Sequence, residues 1–201
     1  MTFITKKPPP PGRAGKCDGD FEEHLYEAAV MLAVAQWMFN QGANKVCLHP
    51  DGVHAQQFDI FEWLRGKGFE RICKIGQTRD AGIYSRQHQT LVIEFTPGQG
   101  DIVTDLGGCR VVVEAKGGII NTRHSGQKSK LRKHLYEAVG MLLDERTGAD
   151  RLIAAVPFHQ ETERIACRMV GRCRDAGIEI ALVSGSGEIQ LCTEDAEGWS
   201  T

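Results

Sequence analysis

The chain has no long hydrophobic run, since none of its apolar stretches approaches the roughly 18 residues that a membrane-spanning helix needs. Near its start, Lys6 and Lys7 are followed by four prolines, where a secretory signal would need an apolar stretch. We therefore expect a cytoplasmic protein that does not associate with a membrane.

Neither sign of charge dominates, because the net charge is -2 and the isoelectric point is near 6.4. Composition alone therefore does not indicate a partner of high charge. The seven cysteines are scattered without a Cys-x-x-Cys pair, so structural zinc is not expected. No GxxxxGK[ST] loop and no internal repeat is present. Any functional assignment must come from local motifs.

The 201 residues, 41% of them hydrophobic, are close to the size of one compact domain. Residues 1 to 19 are rich in Pro, Gly and Lys and predict a flexible arm, followed by one domain over residues 20 to 194 and a loose tail over 195 to 201. Periodicity and end signals predict helices over residues 20 to 41, 56 to 67, 128 to 146 and 159 to 176. With the apolar strand-like runs between them, they predict an α/β fold with a mixed central β-sheet flanked by helices.

Three β-branched runs, residues 90 to 96, 101 to 105 and 110 to 116, predict three strands joined by tight glycine-containing turns. Asp101 opens the second run and Glu114 lies near the end of the third. Glu114 and Lys116 are two positions apart and leave the same face of a strand, while Ala115 points to the other face. Asp101, Glu114 and Lys116 can therefore share one small volume.

Two carboxylates supply the hard oxygen ligands that Mg²⁺ prefers, and a neighbouring lysine can orient a water molecule or offset charge on a phosphate. This combination is typical of phosphodiester hydrolysis. The alternative is an aspartate in a turn and an exposed Glu-x-Lys ion pair. The uninterrupted apolar run at residues 111 to 113 argues against that alternative, because it indicates a strand covered on both faces.

The order Gly100-Asp101, a glycine-containing turn, and Val111-Val112-Val113-Glu114-Ala115-Lys116 resembles the PD-(D/E)xK, or restriction-endonuclease-like, nuclease superfamily. Gly100 stands where the family name has proline. The resemblance covers residues 20 to 157. It implies an αβββαβ core and a metal-dependent endonuclease or exonuclease that uses Mg²⁺, with Mn²⁺ able to substitute.

The resemblance also implies a set of metal ligands: Asp101, Glu114, Ala115 and an acidic residue from the first helix. A helical projection favours Glu22, which lies beside the apolar face, over Glu23 and Glu27. A capping or solvated carboxylate remains the alternative for Glu22. Glu94, in the preceding strand, is either a further ligand or a satisfied edge carboxylate.

A basic stretch follows the motif, and basic side chains at a helix start favour a nearby phosphate backbone because they oppose the helix dipole. We expect nucleic-acid contacts from five of its residues: Arg123, Gln127, Lys128, Lys130 and Arg132. His124 and His134 lie in the same stretch and are expected at the surface. The sequence thus predicts a nuclease acting on DNA and is compatible with a homodimer. The alternative is a nucleic-acid-binding or assembly module that does not cut.

Overall fold

The computed structural model describes residues 2–50, 57–94, 100–144 and 148–193. These residues form an α/β fold with a large mixed sheet and four α-helices, as the sequence predicts. The elements in chain order are β1 (Thr5–Lys7), a short 3-10 helix (Pro11–Arg13), β2 (Glu22–Leu25), α1 (Glu27–Asn40), β3 (Lys45–Leu48), α2 (Ile60–Gly66), β4 (Glu70–Lys74), β5 (Gly82–Arg86), β6 (Gln89–Ile93), β7 (Ile102–Leu106), β8 (Cys109–Ala115), β9 (Gly118–Ile119), α3 (Ser125–Leu143), β10 (Arg151–Pro157), α4 (Gln160–Asp175), β11 (Ile178–Val183) and β12 (Ile189–Leu191).

Nine of the described strands form one sheet in the order β12-β11-β10-β8-β7-β3-β6-β5-β4. β10 is parallel to both β8 and β11, whereas β7 is antiparallel to β8 and β3. Alternate residues of β8 face opposite layers: Val111 and Val113 pack with α1, and Val112 packs with α3 and α4. Glu114 and Lys116 are in phase with Val112 and so belong to the α3 face.

A second, smaller sheet pairs β1, β2 and β9. β9 directly follows the Glu-x-Lys strand, so this sheet joins the N-terminal part of the chain to the end of β8. Among the described helices, none is both long enough and apolar enough to cross a membrane.

Part of the segment predicted as a flexible arm, residues 1 to 19, is paired and packed in the structure. Thr5–Lys7 pairs with β2, and Phe3 is 4% exposed with its ring 5.4 Å from that of Trp63. Composition averages over the segment and so conceals one buried aromatic side chain and one strand pairing. The tail predicted for residues 195 to 201 lies outside the described residues.

The first helix begins at Glu27 and not at residue 20. The preceding residues form β2, whose backbone pairs with β1 on one side and β9 on the other. These pairings join distant parts of the chain and override the local helix signal. α1 is apolar on all sides, and residues 28 to 35 are all buried.

The three strands predicted over residues 90 to 116 lie in one sheet, but they are not all neighbours. β7 and β8 form a hairpin around Gly107 and Gly108, whose φ values are +64° and +86°. β6 is separated from β7 by β3, which pairs parallel to β6 and antiparallel to β7. A β-branched pattern identifies strands but does not specify which strands pair.

Candidate active site

The β7–β8 hairpin brings Asp101, Glu114 and Lys116 together. The pairing of Ile102 with Val113 places Asp101 opposite Glu114, one residue further along the ladder. The main-chain N–H of Ala115 donates to Asp101 Oδ2 over 2.8 Å, and Lys116 Nζ lies 3.7 Å from the same oxygen. The three charged groups therefore lie at the end of one hairpin.

Gly100 precedes Asp101 in a conformation that proline cannot adopt. Its φ is +99°, whereas the proline ring holds φ near -65°. A Cβ atom at this position would also lie 2.5 Å from Val112 Cγ1. Glycine is therefore required by the backbone path into β7, and its presence does not displace the aspartate.

Glu114 is 5% exposed, and its buried Oε2 atom has no hydrogen-bond donor among the described residues. Burial and the negative charge of Asp101 raise the pKa of Glu114 to about 8. Burial also raises the pKa of Asp101, although the Lys116 ammonium and the Ala115 N–H act in the opposite direction. Two carboxyl groups this close and this buried favour either a shared proton or a bound cation.

Lys116 lies between two carboxylates, with Nζ 3.6 Å from Glu27 Oε2 and 3.7 Å from Asp101 Oδ2. Both contacts are ion pairs, and both distances are longer than that of a normal N–H···O hydrogen bond. Burial by itself would lower the pKa of Lys116, but the charges of Asp101, Glu27 and Glu114 raise it above its ordinary value. Lys116 is therefore positively charged and does not act as a proton acceptor.

The acidic residue that α1 brings to this group is Glu27, at its first position, and not the predicted Glu22. Glu22 is 3% exposed and accepts hydrogen bonds of 2.6 and 3.0 Å from the Arg13 guanidinium. His24 Nε2 lies 3.3 Å from Glu22 Oε2. The Arg13 hydrogen bonds hold the pKa of Glu22 below its ordinary value. The projection failed because it assumed a helix that starts seven residues too early.

Two glycines after the motif allow neighbouring segments to approach it. A Cβ atom on Gly117 would lie 2.5 Å from the main-chain nitrogen of Glu27 and 2.8 Å from the carbonyl oxygen of Leu25. A Cβ atom on Gly118 would lie 2.4 Å from Leu131 Cδ2 of α3. The chain can therefore bring the start of α1 to one side of the motif and α3 to the other.

Between these two segments lies a cavity of about 580 Å³, within the usual range of ligand sites. Asp101, Lys116 and Glu27 line it on the motif side. From α3, it is lined by Gln127 and Lys130, two of the five residues predicted to contact nucleic acid. The basic stretch thus supplies part of the wall of the candidate site.

The remaining basic residues of that stretch have acidic partners. Arg123 Nε donates to Asp18 Oδ1 over 2.6 Å, and Arg132 lies 3.4 Å from Glu161. The charge of Lys128 contributes to lowering the pKa of Glu161, after the larger effect of Arg164. These contacts could not be found from the sequence, because each acidic partner is remote in the chain or on another helix.

His124 and His134, expected at the surface, are both partly exposed and both make main-chain contacts. His124 is the N-cap of α3, where its Nδ1 accepts from the Gly126 N–H over 3.1 Å. His134 is half-buried, lines the cavity, and has its Nδ1 atom 2.7 Å from the carbonyl oxygen of Gly117. The helical spacing of His134 from Lys130 is the one sequence signal that links it to the site.

The described residues contain no group of three or more His, Cys, Asp and Glu side chains arranged to hold a metal ion. A cation here would instead use Asp101 and Glu114 with main-chain or water oxygens. Since the Lys116 N–H bonds to Ala155 of β10, the main chain of Ala115 faces the opposite side, toward Asp101.

No family model, no curated protein and no solved structure matches the chain.

Proposed function

We propose that this protein is a Mg²⁺-dependent nuclease of the PD-(D/E)xK type that hydrolyses phosphodiester bonds in DNA, with Mn²⁺ able to replace Mg²⁺. The observation that carries the proposal is the pair of carboxyl groups formed by the buried Glu114 and the partly buried Asp101, beside a cationic Lys116. Asp101 and Lys116 line a cavity that Lys130 and Gln127 also line.

The topology supports the same proposal. If α2 and β4 to β6 are treated as an insertion after β3, the remaining elements follow the order α1, β3, β7, β8, α3, β10. This is the order αβββαβ, and its four strands are consecutive neighbours in the sheet. The first strand of that core would be β3 and not the predicted strand at residues 90 to 96.

The donor set fits a hard divalent cation. Glu114 has an oxygen with no hydrogen-bond donor in the part of the chain that the structure describes. Burial and the charge of Asp101 raise its pKa, and the main chain of Ala115 faces the same side. Asp101, Glu114 and the Ala115 carbonyl would hold the ion, and Mg²⁺ commonly uses only one or two carboxylates. When bound, such an ion polarises a phosphate and makes a coordinated water more acidic.

The chain's own side chains would then divide the remaining tasks. Lys116 donates hydrogen bonds to the attacking water or to a phosphate oxygen, and its held charge offsets the negative charge that develops there. Glu27 is a positioning residue, since its carboxylate holds the Lys116 ammonium from the α1 side. Lys130 and Gln127 contact phosphates next to the cleaved bond.

The test is cleavage of plasmid, linear and single-stranded DNA and of RNA, with Mg²⁺, Mn²⁺ or chelator. We expect Asp101→Asn, Glu114→Gln and Lys116→Met each to lower metal-dependent DNA cleavage by at least about 100-fold. Glu70→Gln changes an exposed carboxylate on β4 and should retain wild-type cleavage. Calorimetry separates the roles: the two carboxylate variants should lose Mn²⁺ binding, whereas Lys116→Met should retain it.

Absence of cleavage by the wild type on every substrate with either metal would refute the nuclease proposal. DNA binding without cleavage would then favour the non-cutting module. Preference for RNA over DNA would keep the chemistry and change the substrate. A wild type that cuts equally well in chelator would show that the carboxyl pair does not act through a metal.

A further inference from the structure

We propose that His134 is a further catalytic residue of this site, which gives a proton from Nε2 to the oxygen that leaves phosphorus. The inference rests on the proposed nuclease function and adds a leaving-group role that neither Asp101 nor Lys116 supplies.

The ring of His134 is held in one orientation by the end of the motif strand. Its Nδ1 atom lies 2.7 Å from the carbonyl oxygen of Gly117, the residue after Lys116. A carbonyl oxygen can only accept, so Nδ1 carries a hydrogen in this contact. The neutral ring and the imidazolium ion both satisfy this contact, so a proton transferred by the ring is the one on Nε2.

His134 also lies on the correct surface. It is half-buried on α3 and lines the same cavity as Asp101, Lys116 and Glu27. Lys130 lines the same cavity one helical turn earlier, so the two side chains share one face of α3. A phosphate held by Lys130 therefore lies next to the His134 ring.

The oxygen of water forms a bond to phosphorus while the bond from phosphorus to the sugar oxygen breaks, and its electron pair stays on that oxygen. That oxygen takes the proton from His134 Nε2, which leaves a neutral ring still hydrogen-bonded through Nδ1–H to Gly117. The water proton passes to solvent. The products are one phosphate end and one hydroxyl end, with no oxidant or co-reactant.

The test compares two variants. His134→Asn keeps an N–H donor near the Nδ1 position and can retain the contact with Gly117, but it has no proton to give. His134→Ala removes both. The substrates are an ordinary oligonucleotide and one in which sulfur replaces the leaving oxygen at the cut bond, chosen from the ends that the wild type leaves. A thiolate departs without protonation.

We expect His134→Asn to lower kcat at least about 100-fold on the ordinary oligonucleotide and less than about 10-fold on the sulfur substrate. Asp101→Asn, which removes a proposed metal ligand, should lower both. Equal losses for His134→Asn on the two substrates, or no loss on either, would overturn the role of His134 while the nuclease proposal stands. A wild type inactive on both substrates overturns the nuclease proposal itself.

A measurement without turnover tests the premise. Nitrogen NMR of the wild-type imidazole should show a hydrogen on Nδ1 in the neutral ring, and this signal should be insensitive to Asp101→Asn. A neutral ring with its hydrogen on Nε2 would contradict the contact with Gly117 and overturn the inference.

Discussion

Glu114→Gln should stabilise the metal-free protein at alkaline pH. Glu114 is 5% exposed and its pKa is raised to about 8 by burial and by Asp101, against an ordinary value of 4.5. The folded state therefore binds this proton more tightly than the unfolded chain. The contribution of Glu114 to the free energy of unfolding is greatest below pH 4.5. It falls as the pH rises from 4.5 to about 8 and stays low above that window. The Glu114→Gln side chain cannot ionise, so the variant does not lose this stability as the pH rises.

The magnitude follows from the same pKa values. At about 1.4 kcal/mol per pH unit, the interval from 4.5 to about 8 corresponds to a ceiling of about 5 kcal/mol. Relaxation of the site around an ionised pair reduces this value, because the effective dielectric of protein sites is higher than that of a dry interior. We expect Glu114→Gln to exceed the wild type by about 2–4 kcal/mol at pH 9.

Urea unfolding in chelator, followed by tryptophan fluorescence between pH 4.5 and 9, measures the effect. The two proteins should have equal stability within about 1 kcal/mol at the acid end and diverge as the pH rises. At about pH 9, saturating Mg²⁺ should raise the stability of the wild type and leave the stability of Glu114→Gln unchanged. Glu70→Gln, on the exposed β4 strand, serves as the control and should follow the wild type. A difference that does not depend on pH, or a variant less stable at pH 9, would refute the reasoning.

Three further predictions concern the surroundings of the motif. Gly117→Ala should lower cleavage at least about 10-fold and destabilise the protein by about 1–3 kcal/mol, because the added Cβ would lie 2.5 Å from the backbone of α1. Gly12→Ala is the control and should change neither, because nothing lies within 4 Å of its added Cβ. Lys130→Gln should reduce the salt slope of DNA binding by about one, as measured by anisotropy titrations, whereas Arg132→Gln, already ion-paired within the protein, should reduce it less. Glu22→Gln should lower the stability measured by thermal unfolding by about 2 kcal/mol, yet leave the cleavage rate within about twofold of the wild type. Loss of cleavage in a folded Glu22→Gln protein would show that Glu22 acts in the site.

Short covalent spacing fixes the parts of the site that are predictable from the sequence. Glu114 and Lys116 share a face because alternate residues of any strand do so. Asp101 meets Glu114 because a glycine turn folds β7 directly back onto β8. The helix α3 was predictable in the same way, since its buried residues recur every three or four positions.

Contacts between distant segments of the chain bring the other groups to this site. Glu27 reaches Lys116 because β2, paired with β1 and β9, delays the start of α1, and because Gly117 lets that start come close. β3 lies between β6 and β7 although the chain enters β6 after a long excursion. His134 meets the motif through the carbonyl oxygen of Gly117, 17 residues earlier. Such contacts depend on strand register and on close approach between segments distant in the chain, and the free energy that selects them comes from packing the whole domain and not from any local pattern.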